Sequence, residues 1–474
     1  MTDARIDARG LAGREDLPPR GARIHFVGIG GAGMRGLALL LARAGYVVSG
    51  SDRGGVSELA ELRAAGATLH GDHGAGHVEG ADLVIRSSAV TPDHVEVRAA
   101  REAGIPVLRR ARAMGALLNG SPLVAISGTH GKTTITAMTG YACEAAGLDP
   151  RVLVGGRVAA WRGFARPGGG VAVVEADEFD RSFLELDPTL AVVSSLEPEH
   201  LDTYGDFDAV REAYAEFAGR AAARDGVLYC ADDAGARALG ESLAGARSYG
   251  FGAGAWLRIE SPDAAGATRF EWPGGTIEVR LCVPGRHNAL NAAAAFAAAR
   301  LSGGDIDAVA RGLEAFPGVG RRLEALAERS GVTVVDDYAH HPTEVAASIA
   351  GLRAADPGRR VEVVFQPHLY TRTRDFAAEF GAALEAADRA WVLPLYPARE
   401  APIEGVSSAL ITEAAPRVTA IDRETAVRRA REAVDAPGEA GGGTVVCYMG
   451  AGDVTDIAHE AAGRLLGDSD ALGA

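Results

Sequence analysis

The stretch Leu123-Val-Ala-Ile-Ser-Gly-Thr-His-Gly-Lys-Thr-Thr134 decides the fold around it. Its four leading apolar residues predict a short buried strand, and residues 133–146 have helix-compatible composition, with Gly147 as the stop. A glycine loop between a strand and a helix lets backbone N–H groups converge on a polyphosphate at the helix N-terminus. The stretch therefore predicts an α/β unit that binds a nucleotide.

Lys132 is the only lysine among the 48 Lys and Arg residues of the chain. Arginine is a wide planar fork, whereas lysine is a compact charge on a slim stem, so this position favours a site that only an ammonium fits. Ile126 stands where the full Walker pattern has glycine, which makes the motif a shortened GxxGKT relative. We predict that Lys132 holds the outer phosphates of ATP and that Thr133 ligates Mg²⁺. The predicted ATP-contacting residues of this loop are Gly128, Thr129, His130, Gly131, Lys132, Thr133 and Thr134.

Acidic side chains follow two further predicted strands. Val174-Glu-Ala-Asp-Glu-Phe-Asp180 follows one strand, and Glu197-Pro-Glu-His-Leu-Asp202 follows the next. Carboxylates there either hold metal, pair with cations or form a solvated acidic turn, and that last alternative stays open. Beside a phosphate loop, His200 indicates a second magnesium site.

A second glycine loop lies near the start of the chain. His25-Phe-Val-Gly-Ile-Gly-Gly-Ala-Gly-Met34 has the GxGxxG spacing, and Asp52 follows 19 residues after Gly33. This pattern resembles an NAD fingerprint, in which the acid binds ribose, but a sugar nucleotide satisfies the same physics. An NAD-dependent oxidoreductase with an accessory ATPase is therefore one alternative, and a nucleotide-gated binding module without turnover is another.

Imidazole and guanidinium groups gather in the last third of the chain. Asp336-Asp-Tyr-Ala-His-His-Pro342 and Phe365-Gln-Pro-His-Leu-Tyr-Thr-Arg-Thr-Arg374 each follow an apolar strand pattern, and arginine forks suit a carboxylate ligand. Gly285-Arg-His-Asn-Ala-Leu-Asn291 could contact a nucleobase or simply cap the alanine-rich helix that we predict over residues 291–300.

The composition sets the domain count and excludes several function classes. A chain of 474 residues implies about three domains, and alternating strand and helix patterns predict α/β architecture with doubly wound, mostly parallel sheets. We expect a flexible tail over residues 1–22 and domains over 23–118, 119–318 and 319–474. The net charge of −15 argues against a nucleic-acid partner, and the four dispersed cysteines suggest no metal knot. No apolar run is long enough to span a bilayer, so we expect no membrane partner and a cytoplasmic location. We also expect a monomer or a weak homodimer.

Together these strings resemble the Mur ligases of peptidoglycan synthesis over about residues 23–460. The most specific matches include the two glycine loops, Glu175-Ala-Asp-Glu178, Glu197-Pro-Glu-His-Leu-Asp202, Gly285-Arg-His-Asn288 and Gly318-Val-Gly-Arg-Arg322. They also include Asp336-Asp-Tyr-Ala-His-His-Pro342 and Phe365-Gln-Pro-His368. The resemblance implies a Rossmann-like domain for UDP, a P-loop-like ATPase domain and a Rossmann-like domain that brings the amino acid. It also implies that a lactyl carboxylate of UDP-N-acetylmuramate attacks the γ-phosphate of ATP, and that L-alanine displaces the phosphate to leave ADP, phosphate and an amide.

The resemblance also assigns residues. It implies that Lys132, Glu175, His200, His340 and Arg372 are catalytic, with Thr133 and Glu175 on one Mg²⁺ and His200 on a second. The implied remaining ATP contacts are His287, Asn288, Asn291, Arg321, Arg322 and Asp336. The implied contacts with the UDP sugar are Gly30, Gly31, Gly33, Asp52, His73, Ser87 and Ser88, and those with the carboxylate and alanine are Tyr338, His340, His368 and Arg372.

Two departures from the family bear on this reading. Some members carry arginine at the position of Leu369, so a carboxylate contact is either absent or supplied by Arg374. Sister ligases use a carbamylated lysine near the second metal, and this chain has none, which favours the alanine-adding branch. A recycling ligase that attaches a preformed tripeptide to the same sugar nucleotide remains the nearest alternative within the family.

Overall fold

The computed structural model describes residues 17–54, 59–262, 267–283, 285–398, 400–435 and 443–467, apart from the side chain of Asp202. These residues form three mostly parallel sheets, one after another along the chain, as the alternating patterns predict. Residues 1–16 of the predicted tail lie outside the described residues. The rest of that segment is tied to the first sheet region, because Pro18 O accepts a hydrogen bond from Tyr46 (3.0 Å) and Gly21 N donates to Gly45 O (2.9 Å).

The first sheet has five parallel strands in the order β3-β2-β1-β4-β5, which is a Rossmann-like arrangement. Apolar residues of β1 are fully buried, so the sheet is covered on both faces. Its elements are β1 (Arg23–Val27), α1 (Ala32–Arg43), β2 (Val47–Ser51), α2 (Ala60–Ala64), β3 (Thr68–His70), β4 (Leu83–Arg86), α3 (Val95–Glu102), β5 (Val107–Arg109) and α4 (Arg110–Leu118).

The second sheet has ten strands in the order β15-β14-β13-β12-β11-β10-β6-β9-β7-β8. Its centre is parallel, and antiparallel pairs occur only toward the edges, at β13–β14–β15 and β7–β8, among the described strands. The strands are β6 (Leu123–Ser127), β7 (Arg151–Val158), β8 (Gly163–Arg166), β9 (Ala172–Glu175), β10 (Leu190–Val193), β11 (Val227–Cys230), β12 (Arg247–Gly250), β13 (Leu257–Ile259), β14 (Ala267–Trp272) and β15 (Gly275–Arg280). The helices are α5 (Lys132–Ala145), α6 (Leu201–Tyr204), α7 (Phe207–Ala222), α8 (Ala234–Glu241), α9 (Arg286–Leu301) and α10 (Ile306–Glu314).

The third sheet has six strands in the order β16-β17-β21-β18-β19-β20, and only the β16–β17 pair is antiparallel. Two apolar clusters cover its faces: one involves α11 and α12, and the other involves α14 and α15. The elements are β16 (Glu324–Arg329), β17 (Val332–Asp337), α11 (Pro342–Ala355), β18 (Arg360–Phe365), α12 (Tyr370–Leu384), β19 (Arg389–Val392), α13 (Ala409–Ala414), β20 (Val418–Ala420), α14 (Arg423–Asp435), β21 (Thr444–Met449) and α15 (Val454–Leu466).

The described chain forms two compact units, which are treated separately below. Unit 1 holds the first two sheets and most of α9, and unit 2 holds the third sheet together with residues 283 and 285–288. Helix α9 begins at Arg286, about one turn before the predicted start at Asn291. The arginine, histidine and asparagine of the 286–288 string therefore lie on the first turn of this helix, and not in a preceding loop. No helix among the described residues is long and apolar enough to cross a membrane.

Candidate active site

The Lys132 loop (residues 128–134) lies at the carboxyl ends of the central strands of the second sheet. Strand β6 runs between β10 and β9, so the ends of all three strands meet at one edge. Gly128 has φ of 136°, a conformation that residues with a side chain rarely adopt, and a Cβ there would collide with the Ser194 hydroxyl after β10. The loop therefore needs glycine both for its turn and for its close approach to the neighbouring strand.

Lys132 is held by a buried carboxylate. Its Nζ donates to the carbonyl oxygen of Gly128 (2.7 Å) and to both carboxylate oxygens of Glu178 (3.0 and 2.9 Å). Burial alone would lower the pKa of Lys132, but the negative charges of Glu178 and Asp177 outweigh it and raise that pKa, so the ammonium stays charged. The Lys132 side chain is only 15% exposed, which leaves little room for a wider guanidinium.

The two residues predicted for the first Mg²⁺ are in contact. Thr133 Oγ1 donates to Glu175 Oε1 (3.1 Å), and the other oxygen of Glu175 accepts from Gly155 N (2.7 Å). A hydroxyl and a carboxylate supply the hard oxygen ligands that Mg²⁺ prefers, so these residues fit the ion.

His200 belongs to a second group of candidate ligands. Its imidazole, the Asp177 carboxylate and the Glu178 carboxylate each offer a ligand atom, and these atoms lie within 4.8 Å of one another. His200 itself has φ of 55°, a strained backbone conformation, and immediately precedes α6. The sequence identified His200, but it did not identify Glu178 as the partner of Lys132, although Glu178 lies inside the acidic string.

Two more predicted ATP-binding residues of unit 1, His130 within the Lys132 loop and Asn291 of α9, connect this loop to neighbouring elements. His130 N donates to Ser195 Oγ (2.9 Å), and the His130 imidazole lies 3.3 Å from Glu197. A Cβ on Gly131 would lie 2.7 Å from Asn291 Oδ1, so Asn291 of α9 reaches the N-terminus of α5. The Thr129 hydroxyl in turn accepts from Glu197 N (2.9 Å). Strand ends β6 and β10 are thereby joined by side chains from the predicted set.

The first glycine loop (residues 28–33) connects β1 to α1. Asp52, at the end of β2, accepts hydrogen bonds from Gly30 N and Gly54 N, both at 2.8 Å. A Cβ on Gly30 would lie 2.7 Å from Asp52 Oδ2, so only glycine allows the carboxylate to come this close. The glycine loop and Asp52, which the sequence groups in one nucleotide-binding pattern, are therefore in contact in the structure.

One cavity of about 200 Å³ lies between the first glycine loop and residues at β7 and β9 of the second sheet. At one side it is lined by Gly31, Gly33 and Ser87 of the first sheet region, and at the other by Glu175 and Asp177 of the second. Arg110, which the sequence analysis did not single out, also lines it, and its guanidinium lies close to Gly33. Arg110 stands in a run of arginines, so the sequence alone gave no reason to prefer it.

The other residues predicted for the UDP sugar lie nearby but are not all in this cavity. His73 Nδ1 lies 2.9 Å from Ser51 Oγ, beside Asp52 in the chain. Ser88 is exposed and is not among the lining residues, in contrast to Ser87.

In unit 2, the predicted nucleotide contacts surround Tyr338. The guanidinium carbons of Arg321 and Arg322 lie 4.7 and 5.2 Å from the centre of the Tyr338 ring. Asp336 is fully buried and accepts from Thr455 Oγ1 (3.0 Å), with Arg321 Nε at 3.7 Å. Burial raises the pKa of Asp336, although Arg321 opposes this.

His287 and Asn288 also belong to unit 2. Burial, together with the nearby charge of Arg322, lowers the pKa of His287 to about 4, so its imidazole is neutral near pH 7. A neutral imidazole can donate and accept hydrogen bonds at once, as contact with a nucleobase requires.

The residues predicted for the carboxylate and the amine lie after β17 and β18. His340 Nδ1 is 2.9 Å from Tyr338 O and 3.2 Å from the Glu344 carboxylate. His368 and Arg372 lie one helical turn apart, with Arg372 Nη1 3.4 Å from His368 Nδ1. The His340 and His368 ring centres are 6.4 Å apart.

The position where some family members carry arginine is strained. Leu369 has φ of 71°, and its N–H donates to Tyr396 O (3.0 Å). Arg374 is exposed and paired with Asp375, with Nε 2.6 Å from Oδ1.

Comparisons with known proteins agree with this geometry. Residues 23–121 match the model of the Mur ligase family catalytic domain, residues 126–299 match the Mur ligase middle domain, and residues 321–452 match the Mur ligase glutamate ligase domain. A UDP-N-acetylmuramate--L-alanine ligase of Renibacterium salmoninarum is 45% identical over 444 residues, 92% of this chain and 94% of that protein. The enzyme of the same name from an Arthrobacter species is 46% identical over 448 residues, 93% of each chain.

The structure of UDP-N-acetylmuramate-alanine ligase from Thermotoga maritima is similar over 94% of this chain and all of that chain, with a TM-score of 0.76 and 27% identity. A murein peptide ligase from Psychrobacter arcticus shares the fold, with a TM-score of 0.69 and 22% identity over 95% of this chain and 100% of that one. With family models matched along most of its length and relatives more than 40% identical, the chain belongs to the Mur ligase family.

Proposed function

We propose that this chain is an ATP-dependent ligase that joins L-alanine to the lactyl carboxylate of UDP-N-acetylmuramate, in the synthesis of peptidoglycan precursors. The observation that carries this proposal is the cavity between the first glycine loop and the carboxylates of Glu175 and Asp177. A sugar nucleotide whose diphosphate lies on the first glycine loop can direct its carboxylate toward the phosphate-binding edge of the second sheet. The two close relatives described above carry the name of this activity.

In the proposed reaction, the lactyl carboxylate attacks the γ-phosphate of ATP, and ADP leaves. Lys132 holds the outer phosphates, and the backbone N–H groups at the start of α5 support them. Thr133 and Glu175 would hold one Mg²⁺ ion and His200 a second, and ions bound there would neutralise charge on the phosphate oxygens. The result is an acyl phosphate, a mixed anhydride that an amine can attack.

The amine of L-alanine then displaces phosphate from the acyl phosphate. We assign the amino acid and the reacting carboxylate to Tyr338, His340, His368 and Arg372, since an arginine fork beside imidazoles suits a carboxylate. We assign further contacts with ATP to His287, Asn288, Asn291, Arg321, Arg322 and Asp336. The proposed contacts with the UDP sugar are Gly30, Gly31, Gly33, Asp52, His73, Ser87 and Ser88.

The domain limits remain part of the proposal. We assign residues 23–118 to the UDP sugar, residues 119–318 to ATP, and residues 319–474 to the amino acid. Because the proposed substrates include ATP and a UDP sugar, we place the reaction in the cytoplasm. We propose that the active protein is a monomer or a weak homodimer.

A substrate-omission assay of phosphate release tests this function. Release should require ATP, Mg²⁺, UDP-N-acetylmuramate and L-alanine together, because the acyl phosphate must form before the amine can capture it. The amino acid should be varied across alanine, glycine and serine, with a preformed tripeptide as a further arm. Equal release without the sugar nucleotide would refute the proposal, and preference for the tripeptide would identify a recycling ligase.

A further inference from the structure

A buried carboxylate in the first sheet region is surrounded by histidines, of which only His73 is among the proposed contacts with the UDP sugar. Five of the 12 histidines of the chain lie between positions 25 and 94, and they gather around Glu96 at the start of α3. Glu96 is fully buried and accepts hydrogen bonds from Ser51 Oγ (2.6 Å) and Gly74 N (3.2 Å), with His77 Nδ1 at 3.0 Å. The histidines of this cluster are His25, His70, His73, His77 and His94.

Three members of the cluster have the spacing of metal ligands. His73, His94 and Glu96 each offer one ligand atom, and these atoms lie within 4.8 Å of one another. The His73 and His94 rings meet edge to face with centres 4.5 Å apart, and His73 Nδ1 is 3.4 Å from Glu96 Oε2. Tetrahedral ligands about 2.0–2.1 Å from a zinc ion are separated by roughly 3.4 Å, the distance between His73 Nδ1 and Glu96 Oε2, and a metal bound to Nδ1 would replace its hydrogen bond with Ser51 Oγ (2.9 Å).

The charges in the cluster also suit a cation. Burial alone would raise the pKa of Glu96, but the imidazoles of His25 and His77 and the Ser51 hydroxyl hold it at about 2, so the carboxylate is ionised. Burial and the neighbouring His73 lower the pKa of His94. Among the residues that the structure describes, His25 Nε2 has no hydrogen-bond partner, and it lies 3.8 Å from Glu96 Oε2.

We propose that His73, His94 and Glu96 bind a divalent transition-metal cation of the zinc, cobalt and nickel class. Two imidazoles and one carboxylate favour such borderline cations over Mg²⁺, which prefers oxygen ligands. The site would link the segment after β3, which holds His73, to the N-terminus of α3, which holds His94 and Glu96. Metal binding should therefore stabilise this part of unit 1.

The alternative is a purely structural network in which hydrogen bonds alone satisfy Glu96. His94 offers a clean way to separate the two. Its Nδ1 accepts from Glu96 N (3.3 Å) and thereby caps α3. Asparagine is among the best N-cap residues, so His94→Asn keeps the cap while it removes the imidazole.

His70→Asn is the matched control. His70 stacks on His77, with ring centres 3.9 Å apart, and belongs to the same cluster without belonging to the three proposed ligands. The variant removes one imidazole from the cluster, as His94→Asn does, but it leaves the proposed site complete.

The test uses the full chain after treatment with a chelator, in excess Mg²⁺ to occupy oxygen-rich sites. Co²⁺ is titrated as a visible-absorption probe, Zn²⁺ is then added to displace it, and the thermal unfolding midpoint is followed with and without Zn²⁺. We expect one Co²⁺ per chain bound with nitrogen and oxygen ligation, displacement by Zn²⁺, and a higher midpoint with Zn²⁺. His94→Asn should weaken Co²⁺ binding by more than about tenfold, and His70→Asn should leave it within about threefold of the wild type.

Unchanged Co²⁺ affinity in His94→Asn would overturn the proposal, and so would an equal loss in both variants, which would indicate nonspecific binding to a histidine-rich region. A thiolate charge-transfer band would also overturn it, because it would place the ion on a cysteine. None of these readouts depends on turnover, so this test stands apart from the test of the proposed ligase activity.

Discussion

The two glycine loops follow one plan, strand then loop then helix, but they differ in what surrounds them. At the first glycine loop a carboxylate, Asp52, accepts from a loop N–H, and two arginines lie close by: Arg35 of α1, whose Nε donates to Gly30 O (2.5 Å), and Arg110 of α4, beside Gly33. The Lys132 loop carries its own cation and its own hydroxyl, each held by a carboxylate of the neighbouring strand end. The same backbone framework can therefore serve to bind a nucleotide in one place and to carry out phosphoryl transfer in the other.

The largest effect should come from Lys132→Arg. The side chain is only 15% exposed and its Nζ has three oxygen partners within 3.0 Å, so a guanidinium cannot take its place beside Glu178. We expect phosphate release to fall by about 10³-fold or more, measured at saturating substrates. Affinity for UDP-N-acetylmuramate should stay unchanged, because the first glycine loop is untouched. Near wild-type turnover would show that the Lys132 loop does not need an ammonium, and would contradict the proposed difference between the two loops.

A smaller effect should follow from Thr133→Val, which keeps the shape of the side chain but removes the hydroxyl that donates to Glu175. We expect kcat to fall by about 100-fold, with a higher Mg²⁺ requirement. Thr139→Val is the matched control: it lies on the same helix, is buried, and donates only to the Ile135 carbonyl (2.7 Å) among its described hydrogen bonds. If both variants lost activity equally, the loss would reflect packing of α5 and not metal binding.

Asp52→Asn tests the other side of the comparison. Both oxygens of Asp52 accept from backbone N–H groups, and an amide can accept at only one of them. We expect KM for UDP-N-acetylmuramate to rise about tenfold with little change in kcat, since the lost hydrogen bond weakens the enzyme–substrate complex and the transition state equally. Asp72→Asn, at a carboxylate that is 81% exposed, should change KM less than twofold. A kcat defect in Asp52→Asn would mean that this loop also acts in the chemical step.

The smallest expected effect concerns the pH dependence of stability, through His287 of unit 2. The unfolded chain binds a proton at the ordinary histidine pKa of 6.5, whereas the folded chain binds it only near 4. The stabilising contribution of the neutral imidazole is therefore complete above pH 6.5 and is lost as the pH falls toward 4. Between pH 6 and pH 5 this amounts to about 1 kcal/mol. Urea unfolding midpoints of wild type and His287→Gln should diverge accordingly, and parallel pH profiles would contradict the assignment.

Much of the site could be predicted because its residues follow strands directly. Lys132, Thr133, Glu175 and His200 come at the ends of apolar runs, and parallel strands bring such ends to one edge. The partners that the sequence did not reveal act through tertiary contacts. Glu96 stands in an ordinary helix pattern, and only the fold shows that its carboxylate is buried against the imidazoles of His25, His73 and His77.

Local backbone geometry was also beyond the sequence patterns. The left-handed conformation of Leu369, which favours glycine, occurs at a residue with a branched side chain. The alanine-rich pattern predicts that α9 begins at Asn291, whereas the helix begins at Arg286, directly after Gly285 with φ of 105°. At Leu369, a contact distant in sequence accompanies the unusual conformation, since its N–H donates to Tyr396 O (3.0 Å).

The solitary lysine has a practical consequence. Within these 474 residues, Lys132 is the only site at which a lysine-specific endoproteinase can cut, and its ε-amine is the only side-chain amine that an acylating reagent can modify. Because that amine is 85% shielded and engaged with Glu178, both reactions should be slow in the folded protein and slower still with nucleotide bound. Cleavage at Lys132 would produce two fragments, and the rate of this cleavage would report whether a nucleotide occupies the phosphate site.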